Sequence, residues 1–162
     1  MKNTSLALVI FLLAFTACKS ADKVMVVPND GNTYYEVERV VDGDTIEVET
    51  IGKVRLIGLD TPETVDPRKP VEYFGKEASQ FLTRLVLHEK VRLEYDQTKT
   101  DKYKRTLAYV YMADGTFVNA EIIKQGYGFA YTKFPFKYLE QFRAYEKEAR
   151  EDKRGLWAPR KY

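Results

Sequence analysis

Acidic residues gather at two turns of this chain, each at the end of a predicted strand. Asp42 and Asp44 flank the first turn, and Asp60 ends the third strand ahead of Thr61-Pro62-Glu63. The proline fixes its own φ and holds the preceding residue extended, so the second turn should be rigid. Oxygen ligands without histidine or thiolate predict a hard cation, Ca²⁺ or Mg²⁺, with three acidic groups, Asp44, Asp60 and Glu63, gathered around it. The alternative is that aspartate and glycine act here only as turn formers.

Arg55 interrupts a predicted strand, residues 54–59, that is otherwise apolar. A guanidinium group in such surroundings needs a partner. That partner is either a glutamate of the neighbouring strand or a bound anion. Five extended residues span about 16 Å from Arg55 to Asp60, so the sequence leaves open whether the two meet. Gly58 lies between them and could allow a bend.

A basic stretch at residues 99–105 is the third feature, because four of its seven residues are cationic and Tyr103 lies among them. Phosphate contacts beside an aromatic ring suit a nucleic-acid strand. The alternative is a solvated loop without a ligand. The net charge of +2, from 26 basic and 24 acidic residues, is too small to favour nucleic acid by itself.

Several other kinds of catalyst lack their residues. His88 is the only histidine of the chain, which argues against a zinc site and against a serine-histidine triad. Cys18 is the only cysteine, and it is assigned to export below, so a thiol nucleophile and an intramolecular disulfide are excluded.

The first residues have the pattern of an export signal. Lys2, an apolar run at residues 6–15 and small residues before Cys18 predict a signal peptide at residues 1–17. Cys18 at the cleavage point predicts lipidation, although Phe15 departs from the usual residue three positions earlier. The alternatives are simple secretion and a buried N-terminal helix. Residues 18–32 are interpreted as a tether and 33–162 as the domain, so the protein is expected in the cell envelope, anchored to a membrane.

Hydrophobic patterning predicts five strands and three helices in the order β-β-β-α-β-β-α-α. The strands are expected at residues 33–41, 45–50, 54–59, 91–95 and 107–112, and the helices at 72–87, 120–125 and 137–154. Asp42-Gly43 is predicted to centre a tight hairpin turn with positive φ, and Asn119 to cap the second helix. The pattern favours an α+β fold in which a curved five-stranded sheet closes into a barrel.

Several stretches, in this order, resemble the staphylococcal nuclease (thermonuclease) family. They are VDGDTI at 41–46, VRLIGLDTPE at 54–63, YFGKEAS at 73–79 and TDKYKRTLAY at 100–109, followed by Val118-Asn119 and Gln125-Gly126. The likeness runs from about residue 37 to residue 157. Any one piece is weak, but the combination is highly specific.

The resemblance implies an OB-fold barrel with about three packed helices, acting as a monomeric Ca²⁺-dependent endonuclease on DNA and RNA that leaves 3′-phosphate ends. It implies metal ligation by the side chains of Asp44 and Asp60 and the carbonyl of Thr61. It also implies that Glu63 is the general base and that Arg55 and Arg105 hold the phosphate.

Substrate binding, by the same resemblance, falls to Lys102, Tyr103 and Tyr131. The chain departs from the family at Lys133, which stands where a second tyrosine is expected, and at Lys104, where glycine is frequent. These departures bear on substrate preference more than on the chemistry. The alternative function is a nucleic-acid-binding module of the same fold without catalysis.

Overall fold

The computed structural model describes residues 31–68 and 70–159. The predicted signal peptide, Cys18 and all but two residues of the predicted tether lie outside the described residues. Within the described ranges, no helix has the length and apolar character needed to cross a membrane.

The described chain forms seven strands, three α-helices and one short 3₁₀ helix. In order they are β1 Tyr35–Asp42, β2 Thr45–Val48, β3 Gly52–Leu56, β4 Leu59–Asp60, α1 Gly75–Val86, β5 Lys90–Glu94, β6 Thr106–Met112, α2 Val118–Lys124, β7 Phe129–Ala130, α3 Leu139–Glu151 and the 3₁₀ helix Gly155–Trp157.

Five strands close into a barrel in the order β1-β2-β3-β6-β5, which confirms the predicted α+β barrel. Neighbours are antiparallel except β3 and β6, which run parallel. The barrel is filled by buried apolar residues of its strands, which include Val37, Ile46, Val54, Leu56 and Val110, all at most 1% exposed. Closure leaves the barrel without free sheet edges, so the turns at its rim are where side chains can be presented.

The helices pack on the barrel through apolar stripes. In α1 the buried positions Ala78, Leu82 and Val86 recur every four residues, the spacing that places them on one helix face. In α3 the buried residues are Phe142 and Ala149, two turns apart. At one end of the barrel, called the rim below, the β1–β2 turn contacts Thr61 in the turn after β4 and Arg105 in the 99–105 loop.

Two small strands, β4 and β7, were not predicted. The predicted strand 54–59 breaks after Leu56, because the chain turns at Ile57 and Gly58 before resuming as β4, which pairs with β7. Gly58 has φ +80°, and a Cβ there would lie 2.5 Å from the Phe136 ring. Glycine is therefore required at this bend both for its backbone conformation and for the close packing.

The prediction for the β1–β2 turn was wrong in register and conformation. The central residues are Gly43 and Asp44, between the paired residues Asp42 and Thr45, and neither central residue has positive φ. A register irregularity between Val40 and Asp42 shifts the turn by one residue.

Asn119 does not cap α2, contrary to prediction, because the helix begins one residue earlier at Val118. Its fully buried amide accepts a hydrogen bond from the Val110 N–H (2.8 Å) and donates to the carbonyls of Ile57 (3.0 Å) and Ala108 (3.3 Å). This one side chain thus joins α2, β6 and the bend after β3, and it satisfies backbone groups that water cannot reach.

Replacing Asn119 by alanine should lower the free energy of unfolding by about 2–4 kcal/mol, because it leaves several buried backbone groups unpaired. Urea unfolding followed by circular dichroism measures this. Gln97→Ala, at an exposed amide, is the control and should change stability by less than about 0.5 kcal/mol. Equal stability of the Asn119 and Gln97 variants would contradict the assigned role.

Asp96 fixes the start of α3 to the barrel. Its carboxylate accepts hydrogen bonds from the Tyr109 hydroxyl, the Lys137 N–H (2.9 Å) and the Gln97 N–H (2.8 Å). Partial burial of Asp96 acts to raise its pKa, but these donors outweigh that effect and hold the pKa below its ordinary value of 3.8. The folded chain therefore favours the ionised form.

Stability supplied by Asp96 should be fully present above pH 5 and be lost as pH falls through and below 3.8, because the folded state holds the proton less tightly than the unfolded state. Asp96→Asn should cost about 1–3 kcal/mol at pH 7. Urea midpoints of the wild type and the variant should converge as pH falls from about 5 to 2. A constant difference across that range would rule out this linkage.

Candidate functional site

Asp44, at the β1–β2 turn, is the centre of the rim. It is only 7% exposed, and its carboxylate accepts hydrogen bonds from the Thr61 N–H and hydroxyl (both 3.2 Å) and from the Thr45 hydroxyl (2.9 Å). Its fourth partner is the Arg55 guanidinium, in an ion pair. A buried carboxylate needs such a set of donors, so Asp44 draws three segments together.

Gly43 allows Thr61 to approach Asp44 this closely. A Cβ on Gly43 would lie 2.7 Å from the Thr61 hydroxyl oxygen and 3.0 Å from the Ala78 Cβ. Any side chain there would push away either the 60–63 turn or α1. The Gly43-Asp44 pair is therefore a packing requirement of the site as well as a turn.

Arg55 joins two of the predicted metal ligands. Nη2 donates to Asp60 Oδ1 (2.8 Å), and Nη1 is paired with Asp44. The side chain of Arg55 is 15% exposed, so it is held by these partners. The bend at Gly58 brings Asp60 back towards Arg55, which answers the question that the sequence left open.

The surroundings of Asp60 act on its pKa in both directions. Partial removal from solvent has the largest effect and raises the pKa, the charge of Arg55 lowers it, and the charge of Asp44 raises it again. The net result is a raised pKa. Asp44 and Asp60 are thus close enough to repel each other, and positive charge between them stabilises the pair.

Glu63 lies on the same turn but bonds to its own loop. Its Oε1 accepts hydrogen bonds from the N–H groups of Thr64 (3.0 Å) and Val65 (2.8 Å). Burial acts to raise the pKa of Glu63, but these donors and a hydrogen bond with Asp42 outweigh it, and the pKa is lowered. Glu63 is therefore ionised at neutral pH.

Asp42 lies beside Glu63 and can donate a hydrogen bond to it when the Asp42 carboxyl is protonated. Burial, above all, raises the pKa of Asp42 to about 6, with the Thr64 hydroxyl opposing and Glu63 reinforcing that rise. Asp42 also accepts hydrogen bonds from the Thr64 hydroxyl (2.6 Å) and the Gly43 N–H (2.8 Å). Asp42 thereby connects the loop that carries Glu63 to the β1–β2 turn.

The expected convergence of three acidic groups on one point is not seen. In the described part of the chain, no group of three or more acidic, histidine or cysteine side chains has metal-binding geometry. Asp44 and Asp60 lie together with Thr61, whereas Glu63 turns to its loop and to Asp42. No hydrogen bond or ion pair joins Glu63 to Arg55 or Arg105 among these residues.

Arg105 reaches the same rim from the basic loop. Nε and Nη2 both contact Asp101 Oδ2 (2.7 Å), and Nη1 lies 3.5 Å from the Thr45 hydroxyl. Arg55 and Arg105 therefore contact consecutive residues, Asp44 and Thr45. Two guanidinium groups at one strand start form a site with the planar donor geometry that suits a phosphate.

The remaining predicted residues border this site. Tyr103 is 68% exposed, with Lys102 Nζ 4.9 Å and the Arg105 guanidinium carbon 5.5 Å from its ring centre. On the other side, the Tyr131 N–H donates to the Gly58 carbonyl (2.9 Å), which places Tyr131 beside the bend that carries Asp60. Lys133 Nζ lies 5.6 Å from the Tyr131 ring centre.

The carboxylates of Asp44 and Asp60 carry the type of oxygen ligand that Ca²⁺ prefers, and in the structure both are paired with Arg55. With the carbonyl of Thr61 they would make three oxygen ligands from the protein. Three protein ligands are fewer than the six to eight oxygens that Ca²⁺ takes, so water and substrate would supply the others.

Sequence reasoning missed two residues that position the site. Asp101 holds Arg105, and Thr45 stands between Asp44 and Arg105. Asp101, four residues before Arg105 in a cationic stretch, was the available clue to an ion pair. Thr45 gave none, because a threonine in a strand is ordinary.

Known proteins are similar in sequence to most of this chain. Residues 53–159 match the family model described as staphylococcal nuclease homologue. The thermonuclease of Staphylococcus hyicus is 40% identical over 156 residues, covering 94% of this chain and 92% of the relative. The thermonuclease of Staphylococcus intermedius is 45% identical over 127 residues, covering 76% and 75%. Endonuclease YncB of Bacillus subtilis (strain 168) is 42% identical over 132 residues, covering 78% and 62%. With its barrel and its rim of acidic and arginine side chains, this chain belongs to the staphylococcal nuclease family.

Proposed function

We propose that this chain is a calcium-dependent endonuclease that hydrolyses phosphodiester bonds of DNA and RNA and leaves 3′-phosphate ends. The observation that carries the proposal is the arrangement of Arg55, which bridges Asp44 and Asp60, and of Arg105, which reaches the adjacent Thr45. Two arginines and two carboxylates at one rim can hold a phosphate and a divalent cation together. Thermonuclease and endonuclease relatives support the same reaction.

The two arginines bind and polarise the phosphate. A guanidinium group has five N–H donors. The contacts of Arg55 with Asp44 and Asp60 use Nη1 and Nη2, so donors remain for an anion. Arg105 is oriented by Asp101 in the same way. Donors fixed in advance stabilise the negative charge that builds on phosphoryl oxygens without having to reorganise.

The proposed calcium ligands are the side chains of Asp44 and Asp60 and the carbonyl of Thr61. Bound Ca²⁺ would offset the phosphate charge and hold a water molecule for attack. The protein's own part is to keep two carboxylates close despite their repulsion. The Thr61 donors on Asp44 and the charge of Arg55 support that arrangement.

Glu63 is the proposed general base. Its lowered pKa keeps it ionised at neutral pH, so it can accept a proton from the attacking water. As the water oxygen bonds to phosphorus, the bond to the 5′-oxygen breaks and that oxygen takes a proton from solvent, so the products are a 3′-phosphate and a 5′-hydroxyl. The backbone N–H groups of Thr64 and Val65 hold the carboxylate on its loop, so Glu63 would have to turn towards the bound phosphate to take this role.

The strand on either side of the reacting phosphate is proposed to lie on Lys102, Tyr103 and Tyr131. The exposed ring of Tyr103 can stack on a base without regard to sequence, and Lys102 offers charge to the backbone. That mode of contact is compatible with both DNA and RNA. A single chain carries the whole proposed site, which is consistent with a monomer.

The N-terminal residues support a proposal about location. Residues 1–17 are proposed to direct export, Cys18 to carry lipid after cleavage, residues 18–32 to tether, and residues 33–162 to form the nuclease domain at the cell envelope.

Cys18→Ser should release the protein from a bacterial envelope, because a hydroxyl cannot take the thioether-linked lipid. Fractionation of cells that express the full chain, followed by mass spectrometry, measures this. If the wild-type chain were found only in the medium and carried no added lipid mass, the protein would be secreted and the lipid anchor would be wrong.

Glu63→Gln should lower the cleavage rate by about 10²- to 10⁴-fold, because the amide cannot accept the proton. Digestion of labelled single-stranded DNA and RNA by the full chain in calcium measures this. Glu38→Gln, an exposed change of the same charge on β1, is the matched control and should leave the rate unchanged.

Chelation of calcium should also silence the wild type. Undiminished digestion by Glu63→Gln would defeat the assignment of the base. Wild-type chain that binds nucleic acid but does not cut it in calcium would instead indicate a binding module.

A further inference from the structure

The basic loop closes as a tight hairpin. The Asp101 N–H donates to the Arg105 carbonyl (3.1 Å), the Lys104 N–H donates to the Asp101 carbonyl (3.0 Å), and Thr100 pairs with Thr106. Between the paired ends, the turn holds three residues, and the last of them, Lys104, has φ 63°. Hairpins of this size require a left-handed residue at that position, where glycine fits best.

Lys104 is therefore a strained choice. In the left-handed region the Cβ of any residue other than glycine crowds the neighbouring carbonyl. The side chain of Lys104 is exposed, and in the described part of the chain it makes no hydrogen bond or ion pair that would offset this. Four other described non-glycine residues, Lys153 among them, also have positive φ, so strain by itself does not mark a functional residue. What distinguishes Lys104 is its place in the basic loop.

The position of Lys104 points to its ligand. It lies between Tyr103, whose ring is 68% exposed, and Arg105, which is oriented towards the rim by Asp101 and Thr45. Among the described residues, the Lys104 ammonium has no ion-pair partner, whereas Arg105 is paired with Asp101. An unpaired cation that directly follows an exposed tyrosine in the chain has the charge that the backbone of a nucleic-acid strand attracts.

We propose that Lys104 is a substrate-positioning residue whose ammonium group binds a backbone phosphate beside the phosphate that is cut, at the expense of a strained turn. This proposal rests on the proposed function, because it assumes that the same nucleic-acid strand is bound. It assigns Lys104 no part in the chemical step, so it concerns affinity and KM, and it leaves kcat unaffected.

Lys153 provides a matched control. It is also an exposed lysine with positive φ, 55°, but it lies at the end of α3, outside the basic loop. Replacing either lysine by glycine removes one charge and relieves one left-handed residue. Only the change at residue 104 should weaken nucleic-acid binding.

The experiment compares the full chain with its Lys104→Gly, Lys104→Arg and Lys153→Gly variants. Binding of a fluorescein-labelled single-stranded DNA of about 12 nucleotides is titrated in chelator. The titration is repeated from about 50 to 200 mM salt. Urea unfolding gives the folding equilibrium constant of each variant.

Lys104→Gly should bind about three- to tenfold more weakly, with a salt dependence shallower by about 0.7 in the slope of log K against log salt. It should also fold more favourably, by about threefold in the equilibrium constant. Lys104→Arg should match the wild type in binding. Lys153→Gly should gain stability with unchanged binding.

Wild-type affinity and salt slope in Lys104→Gly, or an equal loss of binding in Lys153→Gly, would overturn the phosphate contact. If Lys104→Gly were no more stable than the wild type, the claim that Lys104 is strained would be wrong. Because binding is read in chelator, these results do not depend on cleavage. If the wild type failed to cut nucleic acid in calcium, the proposed function would be wrong. The binding measurement would still test the role of Lys104.

Discussion

A nearly buried carboxylate must be surrounded by hydrogen-bond donors or cations. Asp44 is such a carboxylate, and its need for partners fixes the positions of the neighbouring residues at the rim. Its four partners come from three segments: Thr45 from its own strand, Arg55 from β3, and the N–H and hydroxyl of Thr61 from the turn after β4. If any of them moved away, a charge would remain without compensation inside the protein. The site is therefore specified by the electrostatic needs of one residue.

The barrel supplies the rigidity that this arrangement needs. Arg55 can reach Asp60 because the chain bends at Gly58, where the Phe136 ring packs closely against the backbone. Asn119 holds the Ile57 carbonyl at the same bend and fastens it to β6. Buried hydrogen bonds far from solvent thus fix the distance between side chains at the surface. The basic loop is held by Asp101, by the Thr100–Thr106 pair and by the contact of Arg105 with Thr45, and its left-handed residue is Lys104.

Much of this could be predicted from the sequence, and the failures have physical causes. Alternating apolar residues predicted the five barrel strands, and the acidic and arginine motifs selected the residues that do meet at the rim. The β1–β2 turn was misplaced because a register irregularity in β1 has no local sequence mark. Asn119 was read as a helix cap because asparagine is common there, whereas its buried partners come from β6 and the bend after β3, distant in sequence. Glu63 was expected beside the cation, yet neighbouring N–H groups and Asp42 hold it on its loop.

Calcium binding by an Asp44→Asn variant is the most direct measurement of the central claim. Asparagine preserves the size of the side chain and can still accept from Thr61, but it removes the charge. Calorimetric titration of the full-length wild type should show one calcium ion bound per chain, and the variant should show none while its circular dichroism spectrum stays the same. Calcium binding by the variant with wild-type affinity and stoichiometry would contradict the account.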